Sequence, residues 1–132
     1  MELASPIPSA LTAGSWQAVA GYEYAEGRWL RGERFRPGDL VWTFRPDGIL
    51  VERSHEDGDR EHATRYEYRP HDCGLRIDCS DYEPDGFTFL CAELRYRILR
   101  LGPSLMLLED MDDADEQGMP ISRYLFARRN PE

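Results

Sequence analysis

Apolar and polar side chains alternate in short runs along most of the chain, the two-residue period of half-buried β-strands. Trp16, Ala18, Ala20, Tyr22 and Tyr24 alternate with Gln17 and Glu23 and predict a first strand. Leu40, Trp42 and Phe44 predict a second, closed by Arg45-Pro46-Asp47-Gly48, where Pro presets φ and Gly is free to take a positive one. A third strand carries Ile49 and Val51. Placing Gly58 and Asp59 at the tip of its hairpin sets Val51 opposite Tyr66, Glu52 opposite Arg65, Arg53 opposite Thr64 and His55 opposite His62. Apolar then meets apolar and acid meets base, with Glu56 opposite Glu61 as the one like-charge pair.

The fourth strand continues through Tyr66 and Tyr68 to a turn at Pro70-His71-Asp72-Cys73-Gly74. Leu75, Ile77 and Cys79 make a fifth, and Glu83-Pro84-Asp85-Gly86 reverses the chain. Leu90, Ala92, Leu94, Tyr96 and Ile98 share one face of the sixth, with Ile77 facing Ala92 and Cys79 facing Leu90. After Leu101-Gly102-Pro103-Ser104, a seventh strand turns Leu105 and Leu107 inward. An eighth spans Ile121 to Arg128, with Tyr124, Phe126 and Arg128 on one side. No helix-period stretch or repeat interrupts this pattern, apart from a helical turn expected over Ala10–Ala13.

Eight sequential strands joined mainly by tight turns predict an all-β fold, an eight-stranded antiparallel up-and-down barrel with strand eight beside strand one. A barrel of that size is filled by side chains or holds one small ligand. The exception to short connections is Ala25 to Gly38, which carries Arg28, Arg31, Arg34 and Arg36 with Trp29, Leu30 and Phe35. A segment that long is expected as a plug, a lid over a ligand, or an extra hairpin pivoting near Glu26-Gly27.

At 132 residues the chain accommodates one barrel domain, over 10–132, behind a flexible segment over 1–9. All 16 cationic residues are Arg, which excludes P-loop and Schiff-base lysine chemistry. A net charge of −9 repels phosphate backbones, so no nucleic-acid partner is expected. No membrane insertion is expected either: Leu3 to Tyr22 is uncharged, but prolines, serines and glycines break it. Three cysteines read as reduced thiols and favour the cytoplasm, with a periplasmic or exported location as the alternative if a leader has been removed.

Gly14-Ser15-Trp16 opens the first strand after the helical turn, and Arg128-Arg129 closes the last. That pairing resembles the lipocalin-like part of the calycin superfamily, as do Trp42 to Gly48 and the closing Tyr-Leu-Phe-Ala-Arg run, which look like small bacterial lipocalin-like domains. The resemblance implies that Trp16 packs its indole under Arg128, with Gly14 permitting close approach, to seal one end of the barrel. The chain lacks the T-D-Y motif and the cysteine pair of secreted lipocalins, so the resemblance brings no particular ligand with it.

Candidate chemistry is sparse. His55 and His62 at a polar hairpin tip, and six acids between Glu109 and Glu116, read as solvated groups rather than metal ligands. The acidic loop and the arginine-rich connection carry opposite charge and are expected either to attract each other or to split the rim into signed halves. No nucleophile–base pair or phosphate loop is present, so neither an enzyme nor a cofactor is expected. Trp16, Tyr22, Trp42, Phe44, Tyr66, Tyr68, Tyr96, Tyr124 and Phe126 fall on inward positions, more aromatics than a small core needs. With Thr64, Arg53 and Arg100 they suggest a partly polar pocket. The expected function is non-enzymatic binding of a small, largely hydrophobic molecule, neutral or anionic. Trp42, Phe44, Tyr66, Tyr68, Tyr96 and Tyr124 would line the cavity, with Trp29 and Phe35 at the mouth. The alternative is a packed barrel acting as a homodimer or partner-binding module through Tyr82, Phe87, Phe89 and Cys91 on its outer face.

Overall fold

The computed structural model describes residues 7–78 and 93–129. One helical turn, α1 (Ser9–Thr12), precedes the strands β1 (Ser15–Ala25), β2 (Arg28–Arg34), β3 (Leu40–Phe44), β4 (Ile49–Ser54) and β5 (Arg60–Arg69). These are followed by β6 (Gly74–Asp78), β7 (Glu93–Leu101), β8 (Leu105–Asp110) and β9 (Ser122–Arg129). All pairings are antiparallel, and the sheet closes through β1 and β9 into a barrel of eight strands, with β2 as an addition. Strand β1 makes this possible by dividing one of its edges. Ser15–Gln17 pair with β3, Ala20–Ala25 pair with β2, and β9 runs along the other edge from Ser15 to Glu23.

The barrel has two unlike ends. At one lie α1 and the turns after β3, β5 and β7. At the other lie the β1–β2 hairpin and the connections after β4 and β8. Trp16, Phe44, Leu50, Leu75, Met106, Leu108 and Phe126 form the buried centre, and Leu11 from α1 is fully enclosed with them. Ile7, inside the segment expected to be flexible, packs against this core.

Several expectations about facing and register need correction. The register shifts between Ala18 and Ala20, so Val19 bulges. Gly21 and Glu23 therefore join Tyr124 on the inward side, while Tyr22 and Tyr24 turn outward with Arg123. The long connection is the extra hairpin, pivoting on Glu26 and Gly27, whose φ angles of 54° and 82° are those of a tight primed turn.

In the next hairpin the tip takes five residues instead of two, because His55–Asp57 coil into a short 3₁₀ turn and Gly58 and Asp59 are left-handed. Val51 consequently faces Ala63, Glu52 faces His62 and Arg53 faces Glu61. That odd shift turns Leu50 and Glu52 inward and Val51 and Arg53 outward.

Ile77 faces Leu94 rather than Ala92, an even shift that preserves the inward face. In β8 it is Met106 and Leu108 that are fully buried, while Leu105 is 46% exposed. A bulge between Ile98 and Arg100 sets that facing and leaves Arg100 outward, opposite Leu107. The Cys79–Leu90 pairing and the cluster of Tyr82, Phe87, Phe89 and Cys91 lie outside the described residues.

Candidate functional site

Strand parity and a close chain approach build the closed end. Gly14 takes a φ of 92°, a backbone conformation that side-chain-bearing residues rarely adopt, so a glycine lets the chain turn beside the guanidinium. Trp16 and Arg128 are direct cross-strand partners, and the guanidinium carbon stands 4.3 Å from the centre of the indole. The indole is fully buried and donates from Nε1 to Leu11 O at 3.0 Å. Arg128 donates to Ala10 O at 2.5 Å and to Pro103 O, tying α1 and the β7–β8 turn to the last strand. This end is stoppered.

The other end is open. Where β1 leaves β3 to pair with β2, a groove of about 480 Å³ remains, lined by Phe35, Leu40 and Ser54, by the acids Glu33, Asp39, Glu52 and Glu56 and by the bases Arg34, Arg36 and His55. Leu40, Glu52 and Ser54 occupy inward positions of β3 and β4, and Phe35 packs against the core. The 36–39 turn fixes the outer wall: Arg36 N donates to Asp39 Oδ2 at 2.8 Å, and His55 N donates to Asp39 O at 2.8 Å.

The core rings reach the groove through Glu52. Trp42 stacks on Phe126 at 4.7 Å and 26°, and its Nε1 donates to Glu52 Oε1 at 2.8 Å. Tyr96 meets Trp42 at 6.0 Å and 63°, and Tyr124 meets Tyr96 at 6.4 Å and 86°. Three ring planes thus turn around a corner, with the outermost beside Gly21. A Cβ on Gly21 would lie 3.4 Å from Glu33 Cβ and 3.5 Å from Tyr124 Cε1, so its lack of a side chain lets Tyr124 and Glu33 converge.

Carboxylates surround these rings. Asp110 is the cross-strand partner of Tyr96. Burial first, and then the like charges of Asp112 and Asp113, raise the Asp110 carboxyl above its ordinary range, while the Asp112 N–H opposes them. Burial likewise pushes the Tyr124 phenol up, and Asp110, Glu33, Asp113 and Glu23 add to the push.

Of the residues expected to line a site, Phe35 lines the groove, while Trp42, Tyr96 and Tyr124 contact one another in and against the core. Phe44, Tyr66 and Tyr68 sit in the packed half towards the closed end, where Phe44 and Tyr66 meet edge to face at 5.0 Å and Tyr66 donates to Arg45 O. Trp29 stands apart. It pairs with Tyr24 on the outward face, with the Arg123 guanidinium 4.0 Å above its ring and Glu109 holding Arg123 at 3.1 Å.

The acidic loop is engaged mainly with its own surroundings. Asp112 binds Arg95, Asp113 accepts from Ser122, and Asp115 accepts the N–H groups of Gln117 and Met119. His55 and His62 are not partners across the hairpin; they contact Asp59 and Asp57 respectively. Among the described residues no group of three His, Cys, Asp or Glu is placed to hold a metal ion.

Sequence reasoning missed Glu23, Glu33, Glu52 and Asp110 as inward groups. For Glu23, Glu33 and Glu52 the facing depends on bulges and hairpin register; for Asp110 the available signal was two-residue spacing from Leu108.

A closed eight-stranded antiparallel barrel, stoppered at one end by an indole under a guanidinium, defines a lipocalin-like fold. The chain is similar to a lipocalin-like protein from Bacteroides uniformis, with a TM-score of 0.55 and 15% identity over 91% of this chain and 99% of that one. It is also similar to an uncharacterized protein from Bacteroides eggerthii, with a TM-score of 0.50 and 15% identity over 88% of this chain and 98% of the other. No protein-family model matches the sequence, and no curated protein matches it significantly. At this identity the likeness is one of fold.

Proposed function

We propose that the protein is a non-enzymatic binding protein that takes a small, largely apolar molecule through the open end of the barrel. The observation that carries this reading is the asymmetry of the two ends. One is sealed by Trp16 and Arg128, with only a shallow surface hollow over Ala10, Gly102 and Pro103 outside the stopper; the other opens as a deeper groove of about 480 Å³ lined by Phe35 and Leu40 together with charged side chains of both signs. Phe35 and Leu40 supply the groove's apolar wall, and the polar and charged side chains around them would orient a small ligand. The groove volume lies within the range such ligands occupy, roughly 300 to 1,000 Å³. Phe44, Leu50 and Tyr66 then serve as the packed floor beneath the ligand rather than its lining.

Titration with N-phenyl-1-naphthylamine, a neutral fluorescent probe, tests this reading. Saturable one-to-one uptake is expected, and Ser54→Trp, which narrows the groove, is expected to weaken it at least tenfold. Absence of saturable uptake by the folded wild-type protein would overturn the reading.

A further inference from the structure

We infer that the outer face of β7, β8, β9 and β1 docks an acidic amphipathic helix of a protein partner, an interaction separate from the ligand groove. Strand register sets the apolar residues of this face side by side. Leu107 faces Leu125, Leu105 faces Ala127, and Leu125 in turn stands opposite Ala20 beside the Val19 bulge. Leu107 and Leu125 are partly buried, whereas Val19, Leu99 and Leu105 are 36%, 38% and 46% exposed. The bulges in β1 and β7 that set the facing of their strands also push Val19 and Leu99 into solvent. A soluble protein seldom leaves a continuous apolar lane bare.

The rim of the lane is basic, in a chain of net charge −9. Arg100 stands directly opposite Leu107, Arg97 opposite Glu109 and Arg31 opposite Tyr22, and Arg129 follows Ala127 on the same side of β9. All four arginines are exposed and hold no ion pair among the described residues. The outward positions of β1, β8 and β9 include a single acid, Glu109, which is buried and held by Arg123. From Arg100 on β7 to Arg31 on β2 is four strand spacings, roughly 19 Å. One helix, about 10–12 Å across, fits between them with acids reaching both sides. Strands β8 and β9 are paired along both edges, so the lane offers side chains and no free backbone for an added strand. A second copy of the chain is the poorer occupant, because two-fold docking of like faces sets arginines against arginines. The acidic remainder of the molecule repels an acidic helix and leaves this face as its landing place.

Fluorescence anisotropy with a labelled helical peptide of about 18 residues, roughly 27 Å long, tests the inference. The peptide carries a leucine at every third or fourth position and glutamates on both flanks of that stripe. It is expected to bind at least tenfold more tightly than the same peptide with lysines for glutamates, or than a scramble that disperses the leucines. Leu105→Ser should weaken binding at least threefold. Arg31→Glu/Arg100→Glu should reverse the preference in favour of the lysine peptide, with circular dichroism showing the fold retained. Arg65→Glu, at an exposed position on the outward face of β5, should change nothing. Failure of the acidic peptide to bind, or equal binding of the acidic and lysine peptides, would overturn the inference. So would dimerisation in sedimentation that Leu105→Ser abolishes, or uptake by phosphatidylserine vesicles without binding of peptide. The ligand groove has its own readout in the uptake of N-phenyl-1-naphthylamine, so either reading can fail while the other stands.

Discussion

Arg128 joins three parts of the molecule that are distant in sequence, accepting no substitute of equal charge and different shape. Its guanidinium covers the Trp16 ring and donates to the carbonyls of Ala10 and Pro103, while Nη1 is buried without a hydrogen-bond partner among the described residues. A lysine offers one ammonium and no flat face for the indole. Arg128→Lys is therefore expected to destabilise the fold by about 1–3 kcal/mol in urea unfolding, through loss of the flat cover over the Trp16 indole and of the part-buried bond to Ala10 O. Arg129→Lys, at an exposed neighbour, should change stability by less than about 0.5 kcal/mol. Tyr66 supplies a pH-dependent counterpart. Burial first, and then the charge of Asp47, push its phenol from its ordinary value of 10.0 up to about 12, and the hydroxyl donates to Arg45 O. Between those values the unfolded chain has lost the proton and the folded one keeps it, so Tyr66 makes stability fall as pH rises from 10 to 12. Tyr66→Phe should cost about 1 kcal/mol at pH 8 and reduce the loss over that alkaline window, which urea unfolding at several pH values would show. Both residues were legible as inward aromatic or closing positions, because their two-residue spacing survives in β5 and β9.

At the scale of elements, turns were easier to read than facing. Pro46-Asp47-Gly48 and Gly102-Pro103 carry the local chemistry of a reversal, and the chain reverses there. The facing of β4 and β8 was not legible. Ile49-Leu50-Val51 and Leu105 to Leu108 are apolar without a break, so periodicity gives no preference between their two sides. Only the five-residue tip after β4 and the bulge in β7 choose one. The Val19 bulge likewise has no local signature, yet it turns Tyr22 out and brings Gly21 and Glu23 in. The inward carboxylates were lost for the same reason. The β1–β2 turn offers a direct test of element energetics, since Glu26 holds a φ of 54° that favours Asn or Gly. Glu26→Asn is expected to stabilise the hairpin by up to about 1 kcal/mol and to slow amide hydrogen exchange in β2 more than in β5.

For the whole molecule, the two ends divide the work of one sheet. The closed end and the core hold the cylinder in shape, and the open end carries a groove of charged side chains of both signs around Phe35 and Leu40. A bound guest should therefore stabilise the barrel without altering its closed end. At a concentration one hundred times its dissociation constant, N-phenyl-1-naphthylamine is expected to add about 2.7 kcal/mol to unfolding stability, and thermal scans should show a concentration-dependent rise in Tm. The chain carries its own reporters of where such a guest sits, because its three tryptophans mark three places. Trp16 lies at the stopper, Trp29 on the outward face under Arg123, and Trp42 beside the mouth. Nitrogen-15 NMR of the three indole N–H groups during titration with N-phenyl-1-naphthylamine reads all of them at once. The expected result is a saturable shift of the Trp42 resonance with those of Trp16 and Trp29 nearly still. Movement of Trp29 or Trp16 with Trp42 unmoved would contradict a ligand site at the open end.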